Sequence, residues 1–70
     1  MVKIKYDKSA DAAYVYFSEF PPEKVEKTYL CDPQEVKGMI NLDFDKDGKL
    51  IGIEVMDASK KLSKELLENS

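Results

Sequence analysis

The residues best placed by type and spacing to do chemistry lie in the stretch DFDKDGKLIGIE, positions 43 to 54. Asp43, Asp45, Asp47, Gly48 and Glu54 match the calcium-loop pattern D-x-[DN]-x-[DN]-G-x5-E at every specified position. Such carboxylates could hold a hard cation through oxygen, or divide acid and base roles in glycoside hydrolysis. Either use depends on the elements that flank them. An EF-hand needs helices, and its entering helix would here have to cross Pro33 and Gly38, while Ile51 would take the ninth loop position, where an oxygen ligand is usual. The flanks instead alternate as strands. A two-residue turn at Asp47-Gly48 sets Phe44 opposite Ile51, Leu42 opposite Ile53 and Ile40 opposite Val55, all apolar and all on one face. A three-residue loop would set Phe44 opposite Leu50, Leu42 opposite Gly52 and Ile40 opposite Glu54, which scatters the apolar set. The pattern therefore predicts an acidic β-hairpin with the two-residue turn. Its other face carries Asn41, Asp43, Asp45 and Glu54, with carboxylates roughly 7 Å apart. A sheet this small has little material to wall a water-excluding cleft, so no catalytic residue and no cofactor are assigned and the protein is read as not an enzyme. Weak calcium or magnesium binding, or carboxylate-based hydrolysis, on Asp43, Asp45, Asp47 and Glu54 is the alternative.

Composition narrows the setting. The 70 residues allow one domain near the lower size limit for folding without staples. Hydrophobic residues at 43% and charged residues at 36% suit a compact folded chain rather than a disordered one. No apolar run approaches the roughly 20 residues that span a bilayer, and no leader pattern opens the chain, so a cytoplasmic location is expected. Cys31 is the single cysteine, which precludes an internal disulfide. Histidine is absent, and with it the commonest zinc ligand and general base. A net charge of -3 disfavours nucleic acid and anionic membranes as partners.

The remaining elements follow from periodicity. MVKIKYD alternates as a strand over about 2–6, and AAYVYFS reads as a second over 12–18, with Lys8 to Asp11 as a four-residue loop. That register sets Ile4 opposite Val15, Val2 opposite Phe17, Lys3 opposite Tyr16 and Lys5 opposite Tyr14. Pro21-Pro22 breaks the sheet, a third strand is placed at 25–31, and DPQEVKG reads as turn. The hairpin strands are placed at 38–45 and 49–56. DASKKLSKELLENS predicts one helix over 58–68, with Asp57 as N-cap or Ser59 in its place. Lys60, Lys61 and Lys64 lie early in it and Glu65 and Glu68 late, against the macrodipole, so docking on the sheet must hold it helical. The fold class is thus α+β: a small antiparallel sheet of four to five strands, largely a meander, with one C-terminal helix packed on one face.

One helix covers only one face. The other would show Tyr14, Tyr16, Met39, Leu50 and Met56, and exposed groups of this kind mark protein interfaces. Lysines interleaved with aromatics on the first hairpin could also suit a single-strand nucleic-acid platform, but cross-strand cation-π packing explains the same pattern. Cys31 reads as a half-buried hydrophobe.

Two stretches, KIKYDKSADAAYVYFSE and GMINLDFDKDGKLIGIEVMDASK, carry a family resemblance. They resemble the short prokaryotic proteins grouped as domain of unknown function 2283, which share a Tyr-Asp, Ala-Asp-Ala, Tyr pattern early and a Gly-Ile-Glu, Asp-Ala-Ser pattern late. It falls here on Tyr6, Asp7, Ala10, Asp11, Ala12 and Tyr14, then on Asp43, Asp45, Gly48, Gly52, Ile53, Glu54, Asp57, Ala58 and Ser59. The resemblance implies an antiparallel sheet with a helix after the last strand, and it implies no activity. The functional expectation is a small interaction module, a homo-oligomer or a partner-masking protein of antitoxin type whose acidity suits a basic partner.

Overall fold

A computed structural model describes residues 2–17 and 25–69, so the Pro21-Pro22 break and the outer end of the strand placed at 12–18 lie outside the described residues. Five strands form one antiparallel sheet: β1 (Lys3–Asp7), β2 (Ala12–Tyr16), β3 (Lys27–Leu30), β4 (Ile40–Phe44) and β5 (Leu50–Met56). Three short helices accompany them: α1 (Pro33–Val36) between β3 and β4, and α2 (Ala58–Lys61) and α3 (Lys64–Glu68) after β5. The sheet order is β1-β2-β5-β4-β3, so the hairpin β1–β2 and the meander β3–β4–β5 are joined where β5 pairs with β2. The class is the expected α+β. No helix among the described residues is long and apolar enough to cross a membrane.

Apolar alternation fixes the register. Ile4 faces Val15 and Tyr6 faces Ala13; Ala13 in turn faces Val55 and Val15 faces Ile53; Ile53 faces Leu42 and Val55 faces Ile40. One apolar surface therefore runs across four strands. The ladder ends at Lys3 and Tyr16, so Val2 and Phe17 fall just beyond it. Helices α2 and α3 cover this surface with Ala58, Leu62 and Leu67, against Ala13, Val55, Ile4, Tyr6, Ile40 and Ile53. The core is thin. Among the described residues only Ala13, Ile51, Val55 and Ala58 are buried hydrophobic residues, and the molecule measures 32 × 28 × 17 Å, one sheet and one partial helical layer deep.

The acidic hairpin departs from its expected turn. Asp45 N–H donates to Lys49 O at 2.9 Å, closing a three-residue loop in which Gly48 takes φ 79°, a left-handed value that glycine adopts without strain. Asp45 drives this choice, because its Oδ1 accepts the Asp47 and Lys49 amides at 2.9 Å each and so caps the loop from inside. Phe44 consequently faces Leu50, as in the rejected register. A register shift beside Asp43 and Phe44 then absorbs Ile51 as an extra residue, restoring the Leu42–Ile53 and Ile40–Val55 pairs. The bulge lets both apolar pairing and loop chemistry be satisfied.

The C-terminal helix also departs from expectation. It is two helices, broken where Leu62 and Ser63 turn extended at ψ 150°. Ser63 caps α3 by accepting the Leu66 amide at 3.1 Å. The break changes the charge argument in part: Lys60 and Lys61 now close α2 and Glu65 lies in the first turn of α3, favourable to the local dipoles, while Lys64 at the start of α3 and Glu68 at its end still oppose it. Asp57 makes no side-chain cap; it sits left-handed at φ 53°, and the capping comes from Asp11. Within DPQEVKG the chain forms α1 rather than a turn alone, with the Asp32 carboxylate accepting the Gln34 amide at 2.9 Å and proline in the first turn.

Candidate functional site

The face of the sheet opposite the helices is polar at its centre, and Gly52 is the reason. Tyr14 stands opposite Glu54 on β5, yet its side chain lies across β5 and donates its hydroxyl to Asp43 Oδ2 on β4 at 2.6 Å. A Cβ at position 52 would overlap the Tyr14 hydroxyl and stand 2.5 Å from Cζ, so only glycine lets the ring pass. From the other side Thr28 on β3 donates its hydroxyl to Asp43 Oδ1 at 2.7 Å. Asp43 is 9% exposed, and the two hydroxyls hold it as a charge-assisted node linking β2, β4 and β3. Burial first, then the hydrogen bond to Asp43, pushes the Tyr14 hydroxyl well above the ordinary tyrosine range. Tyr14 therefore stands as a hydrogen-bond donor to Asp43.

Beside this node Asn41 Nδ2 donates to Glu54 Oε1 at 3.0 Å, while Asn41 Oδ1 is buried without a hydrogen-bond partner among the described residues. The Tyr14 and Tyr16 rings pack at 4.6 Å between centroids with a 59° tilt, a favourable aromatic geometry. Lys3 faces Tyr16 and Lys5 faces Tyr14, as the first-hairpin register requires.

A second aspartate has a similar hydroxyl set at the opposite end of the sheet. Asp11, left-handed at φ 51°, accepts the Tyr6 hydroxyl at 2.7 Å, the Ser59 hydroxyl at 2.8 Å and the Ser59 amide at 3.0 Å, and its carbonyl accepts the Ala58 amide at 2.9 Å. These are the unsatisfied donors at the start of α2. Hydrogen bonds from Tyr6 and Ser59 hold the Asp11 carboxyl below the ordinary aspartate range, and the same bond to Asp11 raises the Tyr6 hydroxyl. Asp7 accepts the Ser9 hydroxyl at 2.8 Å and amide at 3.0 Å, ordering the first loop. The side chains of Tyr6, Asp11 and Ser59 thus fasten helix to hairpin. A groove of about 660 Å³ borders them, lined by Tyr6, Lys8, Ser59, Lys64, Leu67 and Glu68, but the hydroxyls of Tyr6 and Ser59 are already donated to Asp11.

The four candidate metal ligands are distributed rather than gathered. Asp43 turns to Tyr14 and Thr28, Asp45 turns into its own loop, Glu54 pairs with Asn41, and Asp47 is exposed at the tip. No group of three or more acidic or cysteine side chains among the described residues could hold a metal ion. The interface candidates divide as well. Tyr14, Tyr16 and Met56 are half-buried, whereas Met39 and Leu50 are exposed. Cys31 is a half-buried free thiol.

Thr28, Gly52, Asp11 and Ser59 were not assigned as site residues. An isolated glycine inside the strand pattern LIGIEVM is the usual sign of a close approach, and it marks the Tyr14 crossing. Asp11 and Ser59 lie 48 positions apart, so only the family pattern brings them together in sequence. No curated protein and no solved structure matches the chain. A family model does, described as a protein of unknown function, DUF2283, over residues 3–59, and it spans Tyr6, Asp11, Tyr14, Asp43, Gly52 and Ser59 together; the chain belongs to the DUF2283 family.

Proposed function

We propose that this protein is a non-enzymatic interaction module that presents its helix-free sheet face and the adjoining sheet edge to another protein chain, in the first instance a second copy of itself. The observation that carries this reading is the large apolar side chains left open on the side of the sheet away from the helices, Leu30 at 59% and Met39 at 48% exposure. The thin core supports the same reading. The hydroxyls and carboxylates that resemble a reactive set are engaged in holding strands and helix together, which argues against chemistry at those groups.

A basic partner is the second reading, favoured by the net charge of -3; the chain would then mask that partner in the manner of an antitoxin. Both are tested with the tagged protein as bait at low salt in lysate of its native host, beside a Tyr16→Lys, Leu30→Glu double variant. Retention of untagged copies of the chain, or of a stoichiometric basic protein, by the native bait alone supports the module. Identical recoveries with the two baits would count against it.

A further inference from the structure

Gly48 follows Asp47 at the tip of the acidic hairpin, the one place in the chain where an aspartate or asparagine precedes glycine. A backbone amide with no side chain on its own residue can close on the carboxyl group of the residue before it. Both residues are exposed, and the Asp47 carboxylate accepts no hydrogen bond among the described residues. Nothing lies within 4 Å of where a Cβ on Gly48 would stand. The two reacting groups are thus adjacent and unshielded.

What keeps them from reacting is the Asp45 cap. Asp45 Oδ1 accepts the Asp47 and Lys49 amides at 2.9 Å each, and the Gly48 amide itself donates to Asp45 O at 3.0 Å. The nitrogen that would have to attack is therefore already engaged. We propose that Asp47-Gly48 is a site of spontaneous isoaspartate formation, and that the Asp45 carboxylate acts as a positioning residue that keeps the reaction slow in the folded chain. When the loop opens, the Gly48 nitrogen bonds to Asp47 Cγ, the amide proton and the carboxyl hydroxyl leave together as water, and a five-membered succinimide closes. Water then breaks one of the two ring C–N bonds. Cleavage at Cγ restores aspartate, whereas cleavage at the Asp47 main-chain carbonyl routes the backbone through the side chain and lengthens the loop by one methylene. Mass is unchanged overall, and water is the only co-reactant. The longer loop no longer presents the amides of positions 47 and 49 to one oxygen of Asp45, so the product loses the cap that restrained its formation.

This chemistry is independent of the interaction-module reading. It is tested by prolonged incubation of the full chain in warm, mildly acidic buffer, with isoaspartate counted by an isoaspartyl methyltransferase and a labelled methyl donor and located by electron-transfer fragmentation. The same chain in denaturing guanidinium chloride gives the uncapped rate. Isoaspartate at position 47 should form at least roughly tenfold more slowly in the folded chain than in the denatured one. Asp45→Ala should recover most of that difference, while Asp45→Asn, which keeps the acceptor oxygen, should stay near the native rate. Because Asp45→Ala could loosen the whole domain, Asp11→Ala serves as the comparison: it weakens the far end of the sheet and should leave the rate within about twofold of native. Equal rates in the folded and denatured chains, or acceleration by Asp11→Ala as large as by Asp45→Ala, would overturn the role of Asp45. Isoaspartate that gathers at another position, or none at position 47 even in the denatured chain, would overturn the site itself.

Discussion

Asp11 and Asp43 are held by the same chemistry in two different places, one tyrosine hydroxyl and one serine or threonine hydroxyl each. Around Asp11 the set is partly exposed and joins a loop to the start of α2. Around Asp43 the carboxylate itself is buried, with Tyr14 half-buried and Thr28 exposed, and the set spans four strands, because Tyr14 has to cross β5 to reach it. The first set is local capping supplied from a distance; the second braces the sheet from the face that the helices leave open. Their difference in burial sets how much each contributes. A buried carboxylate that loses a donor retains its desolvation cost, while an exposed one is rescued by water.

That contrast orders the expected effects of substitution. The largest should come from Gly52→Ala, which pushes Tyr14 off Asp43 and overpacks β5; about 3–4 kcal/mol is expected, most of the stability of so small a domain, read as a urea midpoint shift. Tyr14→Phe keeps the ring and removes the donor, for about 2 kcal/mol, and should delete the last phase of the alkaline absorbance titration. Thr28→Val removes the other donor at a cost of about 1–2 kcal/mol. Asp11→Ala should lower the melting temperature less than Tyr14→Phe does. Its distinguishing sign is faster hydrogen exchange at the Ser59 amide, which loses its acceptor. Asp47→Ala, at the exposed tip, should stay within about 0.5 kcal/mol of the parent.

The acid and alkaline limbs of the stability profile should draw on different groups. Asp7 and Asp11 are held below the ordinary aspartate value of 3.8. Their stabilisation is complete above that value and is lost as pH falls through their lowered folded values. Tyr6 and Tyr14 are raised above 10.0, so their stabilisation is complete below that value and is lost as pH rises through their raised ones. Asp11→Ala should flatten the acid limb of a stability profile, and Tyr14→Phe the alkaline limb.

Much of this architecture was legible in the residues. The Ile4–Val15 and Leu42–Ile53 pairs followed from alternation alone, because a one-residue slip would have turned the apolar face to water. The hairpin tip was misread because pairing rules do not include a carboxylate capping its own loop, as Asp45 does. The helix break escaped for a related reason. Leu62, Leu66 and Leu67 keep helical spacing across the break, and the residue that makes it, Ser63, acts through a side-chain cap that apolar periodicity does not register. In the candidate site, Tyr14, Asp43 and Glu54 were visible as residue types, but their partners Thr28 and Asn41 come from strands whose order periodicity does not specify.

The central claim is that the helix-free face is organised by Tyr14 lying over Gly52 to reach Asp43. A double-mutant cycle on unfolding free energy, pairing Gly52→Ala with Tyr14→Ala, tests this most directly. If the ring occupies the space above Gly52, alanine at 52 should cost within about 1 kcal/mol once Tyr14 is gone, giving a coupling of about 2–3 kcal/mol. Equal penalties for Gly52→Ala in both backgrounds would mean that Tyr14 does not cross there, and the account of this face would fail.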